Sequence, residues 1–103
     1  MQVDIRRQGI ELDEAMTAHL QRRLDFALGR LDHRVMRVEV HLAHENGQRG
    51  GVGDRCRILV HLKHLPDVVV EDHGDDLVAL IDRTVNRAGQ AVHRELDRRH
   101  SRR

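Results

Sequence analysis

Two segments of alternating side chains, joined by a glycine-rich stretch, constrain the fold of this chain more than any other feature. In residues 36–42 and again in residues 56–63, apolar side chains stand at every second position, with mostly polar side chains between them. A period of two is typical of a β-strand with one buried face. The glycine-rich run at 46–53 predicts a flexible loop. The two segments are therefore predicted to form a hairpin whose second face is open to solvent or to a partner.

Two shorter strands and two helices account for most of the remaining sequence. Val3 and Ile5 alternate with polar neighbours and predict a first strand, and residues 68–70 predict a last one. Apolar side chains at helical spacing predict a first helix over residues 13–31, with Asp13 as its N-cap, and a second helix from about residue 75 to residue 99. The two apolar stripes are Leu12, Met16, Leu20, Leu24, Ala27 and Leu31 in the first helix, and Leu77, Ile81, Val85, Ala88, Val92 and Leu96 in the second.

The predicted element order is β-α-β-β-β-α. Helices with one apolar stripe and strands with one apolar face pack as two layers, so the fold class is α+β, a two-layer sandwich. We expect a four-stranded sheet with both helices packed on one face. A chain of 103 residues is the size of one domain. We assign residues 1–99 to that domain and expect the basic tail, 100–103, to be frayed.

The formal net charge of +1 hides a strong polarity in the last third of the chain. Residues 67–82 contain acidic side chains and no Lys or Arg, whereas residues 83–103 are rich in arginine. At about 100° per residue, four arginines of the second helix fall within roughly 40° of the direction opposite its apolar stripe. These are Arg83, Arg87, Arg94 and Arg98. On the first helix, the outer side is predicted to carry His19, Arg22, Arg23, Phe26 and Arg30.

An arginine surface on two neighbouring helices suits phosphate groups, which makes RNA binding the favoured function. The alternatives at this point are a merely solvated face and complementation of the helix dipole by acids at its start and arginines at its end. Phe26, the only aromatic residue, either stacks on an unpaired base or packs at the edge of the core.

The chain resembles the ribosome hibernation-promoting factor and ribosome-associated translation inhibitor family, in its short form without a C-terminal dimerisation domain. The resemblance covers nearly the whole chain. It rests on the opening Met-Gln-Val-Asp-Ile strand, the Arg23-Leu24 helix motif, the strand order, and the run Asp-Leu-Val-Ala-Leu-Ile-Asp at 76–82, which is similar to the family's acidic-hydrophobic-Tyr-Ala-Ala-Ile-Asp pattern.

This resemblance implies a stress or stationary-phase factor that binds the small ribosomal subunit in the channel used by mRNA and tRNA, and blocks translation or protects idle ribosomes. It implies that basic residues of both helices contact ribosomal RNA. Arg23 and Arg87 match positions that are usually basic in the family. The chain departs from the family pattern where Val78 replaces a Tyr, where Phe26 replaces a frequent basic residue, and where glycines interrupt the helices. The expected RNA-binding residues are Arg22, Arg23, Phe26, Arg30, Arg83, Arg87, Arg94 and Arg98.

Other nucleic-acid modules fit the sequence less well. A double-stranded RNA-binding domain has the same α-β-β-β-α core order, but it contacts the duplex with lysines at the start of its last helix. Here Asp75 and Asp76 occupy that position and would repel phosphate. The glycine-rich loop is neither a KH loop nor a P-loop, because it joins two strands and is followed by no helix.

Metal binding and catalysis have little support. In an extended strand, residues three apart point to opposite faces, so His41 and His44 are split, as are His61 and His64. His41 and His61 share the outer face, but the expected hairpin register offsets them by several residues. We therefore expect no structural zinc and no other cofactor. Cys56 lies on the inward side of its strand and is predicted to be a buried packing residue, and no catalytic arrangement is identifiable.

The competing function is a protein-interaction module that uses the exposed sheet face to dock another protein or to form a homodimer. The sequence predicts a cytoplasmic, non-enzymatic protein, with no membrane segment and no small-molecule substrate. RNA binding through arginines should weaken steeply with added salt, whereas a protein interface through the sheet should not.

Overall fold

A computed structural model describes residues 1–31, 33–46 and 52–101 of the chain, and these form the predicted β-α-β-β-β-α order. Residues 47–51, where most of the predicted glycine-rich loop falls, lie outside the described part. The elements are strand β1 (Gln2–Gln8), helix α1 (Glu14–Leu28), a 3-10 turn (Gly29–Leu31), strands β2 (Val35–Asn46), β3 (Val52–Leu62) and β4 (Val68–Gly74), and helix α2 (Leu77–Ser101).

The strands form one open mixed sheet in the order β1-β2-β3-β4. β1 and β2 are parallel, and α1 is the crossover that this pairing requires. The predicted hairpin is confirmed: β2 and β3 are antiparallel, with Val40 opposite Ile58 and Val38 opposite Val60. β4 pairs antiparallel with β3. The fold is therefore the predicted α+β sandwich, with a sheet in one layer and two helices in the other.

One face of the sheet packs against both helices, and the alternation of each central strand decides which side chains it buries. Cys56 is fully buried, as its inward parity predicted, and burial raises the pKa of its thiol to about 11. The hydrophobic cluster of the core consists of Leu20, Leu24, Leu28, Val35, Val38, Val40, Leu42, Cys56, Ile58, Val60, Leu62, Leu80, Ile81, Val85, Ala88 and Val92.

Helix α1 begins at the predicted cap and ends earlier than predicted. The backbone N–H of Met16 donates a hydrogen bond to Oδ1 of Asp13 at 2.8 Å, which satisfies one of the free donors of the first turn. The α-helix stops at Leu28, and the chain continues to Leu31 as the 3-10 turn rather than as the α-helix predicted through residue 31. Arg30 therefore lies in the 3-10 turn and not on the helix.

Helix α2 begins later and ends later than the sequence indicated. Asp76 caps it, since its Oδ1 accepts a hydrogen bond from the backbone N–H of Ala79 at 3.2 Å. The helix continues through Ser101, two residues beyond the predicted end at Arg99. Thr84 is fully buried in it, and its hydroxyl donates to the carbonyl oxygen of Leu80 at 2.7 Å. No described helix combines the length and the apolar character needed to cross a membrane.

The acidic run is divided between β4 and α2, because the last strand is longer than the predicted residues 68–70. Strand β4 extends through Gly74, so Glu71 and Asp72 lie on the strand and only the residues from Leu77 onward lie on α2. The reason is the ladder with β3, in which Arg57 stands opposite Glu71 and Cys56 opposite Asp72. Inter-strand hydrogen bonds hold these acidic residues in the sheet although their side chains favour other conformations.

The two helices run parallel and touch along their length. His19 contacts Asp82, Arg23 contacts Asn86, and Ala27 faces Gly89, so residue numbers rise together on both helices. A Cβ at Gly89 would lie 3.3 Å from the Cβ of Ala27. The comparison with the family pattern suggested that Gly89 interrupts the second helix, but α2 is continuous through this residue. Gly89 instead allows α1 to approach α2 closely.

We expect Gly89→Leu to lower the free energy of unfolding by about 1–3 kcal/mol, because the new side chain must displace Ala27 and separate the helices. Urea denaturation measures the effect. Gly29→Leu is the matched control. A Cβ at Gly29 would meet nothing within 4 Å, so this change should alter stability by less than about 1 kcal/mol. Equal effects of the two substitutions would contradict the close approach.

Candidate nucleic-acid interface

The structure brings all eight predicted RNA-binding residues to the helical layer. Three of them lie on α1, one in the 3-10 turn that follows it, and four on α2. Because the helices are parallel neighbours, these residues belong to one side of the molecule, opposite the outer face of the sheet. The eight residues are Arg22, Arg23, Phe26, Arg30, Arg83, Arg87, Arg94 and Arg98. The seven arginines among them form two groups, one without an ion pair to a described residue and one with contacts inside the protein.

Three arginines of this layer are exposed and form no ion pair with any described residue. They are Arg22 on α1, Arg30 in the 3-10 turn and Arg94 on α2. A guanidinium in this state keeps its full set of donors for a ligand and needs no internal contact to be broken. These three are therefore the arginines best prepared to bind phosphate.

Arg83 and Arg87 do not point freely away from the core, as the helical projection predicted, but fold back onto β4. Nε of Arg83 lies 2.7 Å from Oδ2 of Asp72, and its Nη2 donates to the carbonyl oxygen of His73 at 2.9 Å. Arg87 donates through Nη1 to the carbonyl oxygen of Glu71 at 3.0 Å. The reach of the arginine side chain allows this, because β4 is the sheet edge next to α2. Both side chains remain about half exposed.

Asp72 is the acceptor that holds this contact between β4 and α2 together. Its Oδ2 lies 2.7 Å from Arg83 and 3.4 Å from Arg87, and its Oδ1 accepts from the backbone N–H of His73 at 2.8 Å. Two hydrogen bonds lower the pKa of this carboxyl, the one from Arg83 more than the one from the backbone of His73. Asp72 thus joins the strand to the helix, while Asp76 caps α2.

Arg23 lies between the two helices. Its Nη2 donates to Oδ1 of Asn86 at 3.2 Å, and its Nε is 3.4 Å from Oδ1 of Asp82. The same carboxylate oxygen accepts from Nε2 of His19 at 2.7 Å. Asp82, the last acid of the acidic run, is thus paired with Arg23 and hydrogen-bonded to His19 at the seam between α1 and α2. Arg98 is also engaged, in an ion pair with Glu95 one turn before it.

Phe26 projects into solvent. Its side chain is 82% exposed, so the interpretation as an edge-of-core packing residue is wrong. It borders a shallow groove at the C-terminal end of α1, which is also lined by Asp25, Ala27, Gly29, Arg30 and His93. Contact with RNA stays a prediction for Phe26. His93 was not among the predicted residues, because its position beside Arg30 depends on how the helices align and not on either helix alone.

The centre of the outer sheet face is a network of ion pairs and hydrogen bonds. Glu39 is at its centre. Its carboxylate is hydrogen-bonded to His61 and, at 3.2 Å, to Nη2 of Arg37. Its Oε1 also lies 3.8 Å from Nε2 of His41. His61 also contacts Asp67 at 3.1 Å. The hydrogen bond from His61 is the main cause that lowers the pKa of Glu39.

The two histidines are offset along the hairpin, as predicted, since His41 stands opposite Arg57 and His61 opposite Arg37. They nevertheless reach the same carboxylate from its two sides. Within residues 1–31, 33–46 and 52–101, no cluster of His, Cys, Asp and Glu side chains is arranged to hold a metal ion.

The sequence model of a protein family described as "Sigma 54 modulation protein / S30EA ribosomal protein" matches residues 3–100 of the chain. None of the curated proteins matches the sequence significantly. Among solved structures, the N-terminal domain of Protein Y from Thermus thermophilus is 26% identical, with a TM-score of 0.72 over 91% of this chain and 98% of that one. A ribosomal subunit interface protein from Coxiella burnetii has the same fold, with a TM-score of 0.73 at 12% identity over 93% of this chain and 99% of that one.

We expect Asp72→Asn to lower the free energy of unfolding at neutral pH, because Asp72 holds Arg83 and Arg87 against β4. The folded-state pKa of Asp72 lies below its ordinary value of 3.8, so its contribution is complete above that pH and is lost as the pH falls through the folded-state pKa. The difference between variant and wild type should therefore vanish in strong acid. Urea midpoints measured across pH 2 to 7 test this, at roughly one-unit steps.

Glu71→Gln is the matched control, on the same strand one residue away. The Glu71 side chain has no ion pair with a described residue, and only its carbonyl oxygen accepts from Arg87. A pH-independent loss in Asp72→Asn, or an equal loss in the control, would refute the role given to the carboxylate.

Proposed function

The chain belongs to the Sigma 54 modulation protein / S30EA ribosomal protein family, and from this premise we propose that it binds the small ribosomal subunit through ribosomal RNA. Bound there, it inhibits translation or protects idle ribosomes in stressed or stationary-phase cells. The family supports ribosome association in general; the choice of subunit, the RNA contacts and the effect on translation are the proposal. The activity is binding without catalysis, and its place is the cytoplasm, where the ribosomes are.

The observation that carries this proposal is the contrast between the two faces of the molecule. The helical layer has three exposed arginines that form no ion pair with a described residue, together with an exposed aromatic ring. The outer sheet face also has two exposed arginines without an ion pair to a described residue, Arg6 and Arg57, but Glu71 stands opposite Arg57 in the ladder, and the centre of the face is Glu39 paired with Arg37. Unmatched cations attract phosphate at long range, whereas a neutralised network does not.

The two groups of arginines have different parts in the proposed complex. Arg22, Arg30 and Arg94 contact phosphates directly, since no internal contact competes for them. Each of the other four has one or more donors committed within the protein. A guanidinium has further N–H groups, so these four add contacts at the margin of the interface, and all but Arg98 also hold α2 to α1 or to β4. They are Arg23, Arg83, Arg87 and Arg98.

A protein-interaction function through the sheet face is less well supported. A stable protein interface has a buried centre poor in charge. Here the centre of the face is Glu39 with its charged neighbours, and Val69 is the one large apolar side chain of its outer surface described as exposed. Removing the Glu39 network from water would cost free energy that so little apolar area cannot offset.

We expect the double variant Arg30→Glu, Arg94→Glu to lose at least tenfold in affinity for small ribosomal subunits, because two phosphate contacts become two repulsions. Co-sedimentation at several salt concentrations measures the loss. The slope of log affinity against log salt should also decrease in magnitude by about two, one for each contact removed.

The matched control is Arg6→Glu, Arg57→Glu, which changes the net charge equally on the outer sheet face. Neither Arg6 nor Arg57 forms an ion pair with a described residue, so both exchanges leave the described ion pairs intact. The control should sediment with subunits nearly as wild type does. Equal losses in both double variants would reduce the effect to net charge and contradict the assignment of the helical layer.

A further inference from the structure

Phe26 occupies a position that the fold itself does not explain. It is the only aromatic residue of the chain, and its ring is 82% exposed on the outer side of α1. An aromatic ring displayed within a cationic surface is a stacking platform for nucleobases, because every base has a π-face. This inference rests on the proposed function and goes one step further: we propose that the groove beside Phe26 holds one unpaired base of the bound RNA.

The cations beside Phe26 are placed for the backbone of the same nucleotide. Arg22 precedes Phe26 by one helical turn, and Arg30 follows it by about one turn. The six α-helical steps to Leu28 and the two steps of the 3-10 turn to Arg30 together span about 13 Å. Neighbouring phosphates of one strand in a duplex are separated by about 3.4 Å along its axis, so this span reaches phosphates on both sides of a nucleotide stacked on Phe26. Neither arginine is paired with a described residue.

The groove itself fits a base better than a phosphate. Its lining includes Ala27 and Gly29, and a Cβ added at Gly29 would meet nothing within 4 Å, which leaves room for a flat ring. Asp25 also lines the groove, and a carboxylate repels phosphate but accepts hydrogen bonds from the amino and imino groups of a base. His93 of α2 lines the groove as well, and an imidazole has ring nitrogens that donate or accept at a base edge.

This arrangement selects single-stranded or bulged nucleotides over a continuous duplex. In a duplex, both faces of a base are covered by its neighbours, and its pairing edge is occupied. Only a base that has left the stack offers a free face to Phe26 and a free edge to Asp25 and His93. The ligand is therefore an RNA segment with a bulge, a loop or a single-stranded junction.

The test uses two RNA hairpins of equal length, one fully paired and one with a single bulged 2-aminopurine, whose fluorescence changes when it stacks. We expect wild-type protein to bind the bulged hairpin about tenfold more tightly than the paired one and to change the fluorescence of the bulged base. Phe26→Leu should lose this preference and the fluorescence change, yet keep its salt-dependent affinity for the paired hairpin. Phe26→Trp should retain both. The ring is exposed, so these variants leave the core intact.

The outcomes separate this inference from the proposed function. If wild type binds ribosomal subunits but shows no preference for the bulged hairpin, the base pocket is refuted and the proposed function stands. If wild type does not bind subunits, the proposed function itself fails. If Phe26→Leu loses binding to subunits while its RNA preference is unchanged, the ring inserts into a ribosomal protein, and the inference is overturned.

Discussion

The contact between Ala27 and Gly89 is the constraint on which the rest of the structure depends. It lets two parallel helices lie side by side on one face of the sheet, so close that a Cβ at position 89 would be only 3.3 Å from the Cβ of Ala27. The same alignment places His19 and Arg23 against Asp82. It also sets His93 beside Arg30 and Phe26, so residues distant in sequence form a single groove. A wider helix pair would have two separate outer faces instead of one surface.

The distribution of counter-ions gives this surface its charge. The chain has a net charge of only +1, yet one face is cationic because several acidic side chains are paired within the protein. Asp72 pairs with arginines at the β4–α2 contact, Glu39 pairs with Arg37 on the outer sheet face, and Asp82 pairs with Arg23 between the helices. Arg22, Arg30 and Arg94 have no such match among the described residues. Internal ion pairing, more than the overall composition, therefore decides where phosphate is attracted.

The fold could be predicted almost completely because its signals are local. The alternation in β2 and β3 and the helical stripes depend on single elements, and they match the observed burial except at Met36, which is 63% exposed at an irregularity in the β2–β3 register. The errors arose where tertiary contacts decide. Glu71 and Asp72 lie on β4 because pairing with β3 outweighs their own preferences, and no local pattern reveals that pairing.

For the same reason, a helical projection places Arg83 and Arg87 in one stripe but cannot show that they reach back to β4. The groove around Phe26 depends on His93, which only the helix alignment brings near.

The central claim is that the helical layer, and not the sheet, faces ribosomal RNA. A cryo-EM map of the protein bound to small ribosomal subunits tests it most directly, because the sheet and the helices are distinguishable at moderate resolution. The account predicts continuous density from ribosomal RNA phosphates to Arg22, Arg30 and Arg94, with the Glu39 network turned away from RNA. Density that joins the RNA to the outer sheet face, with α1 and α2 exposed to solvent, would contradict it.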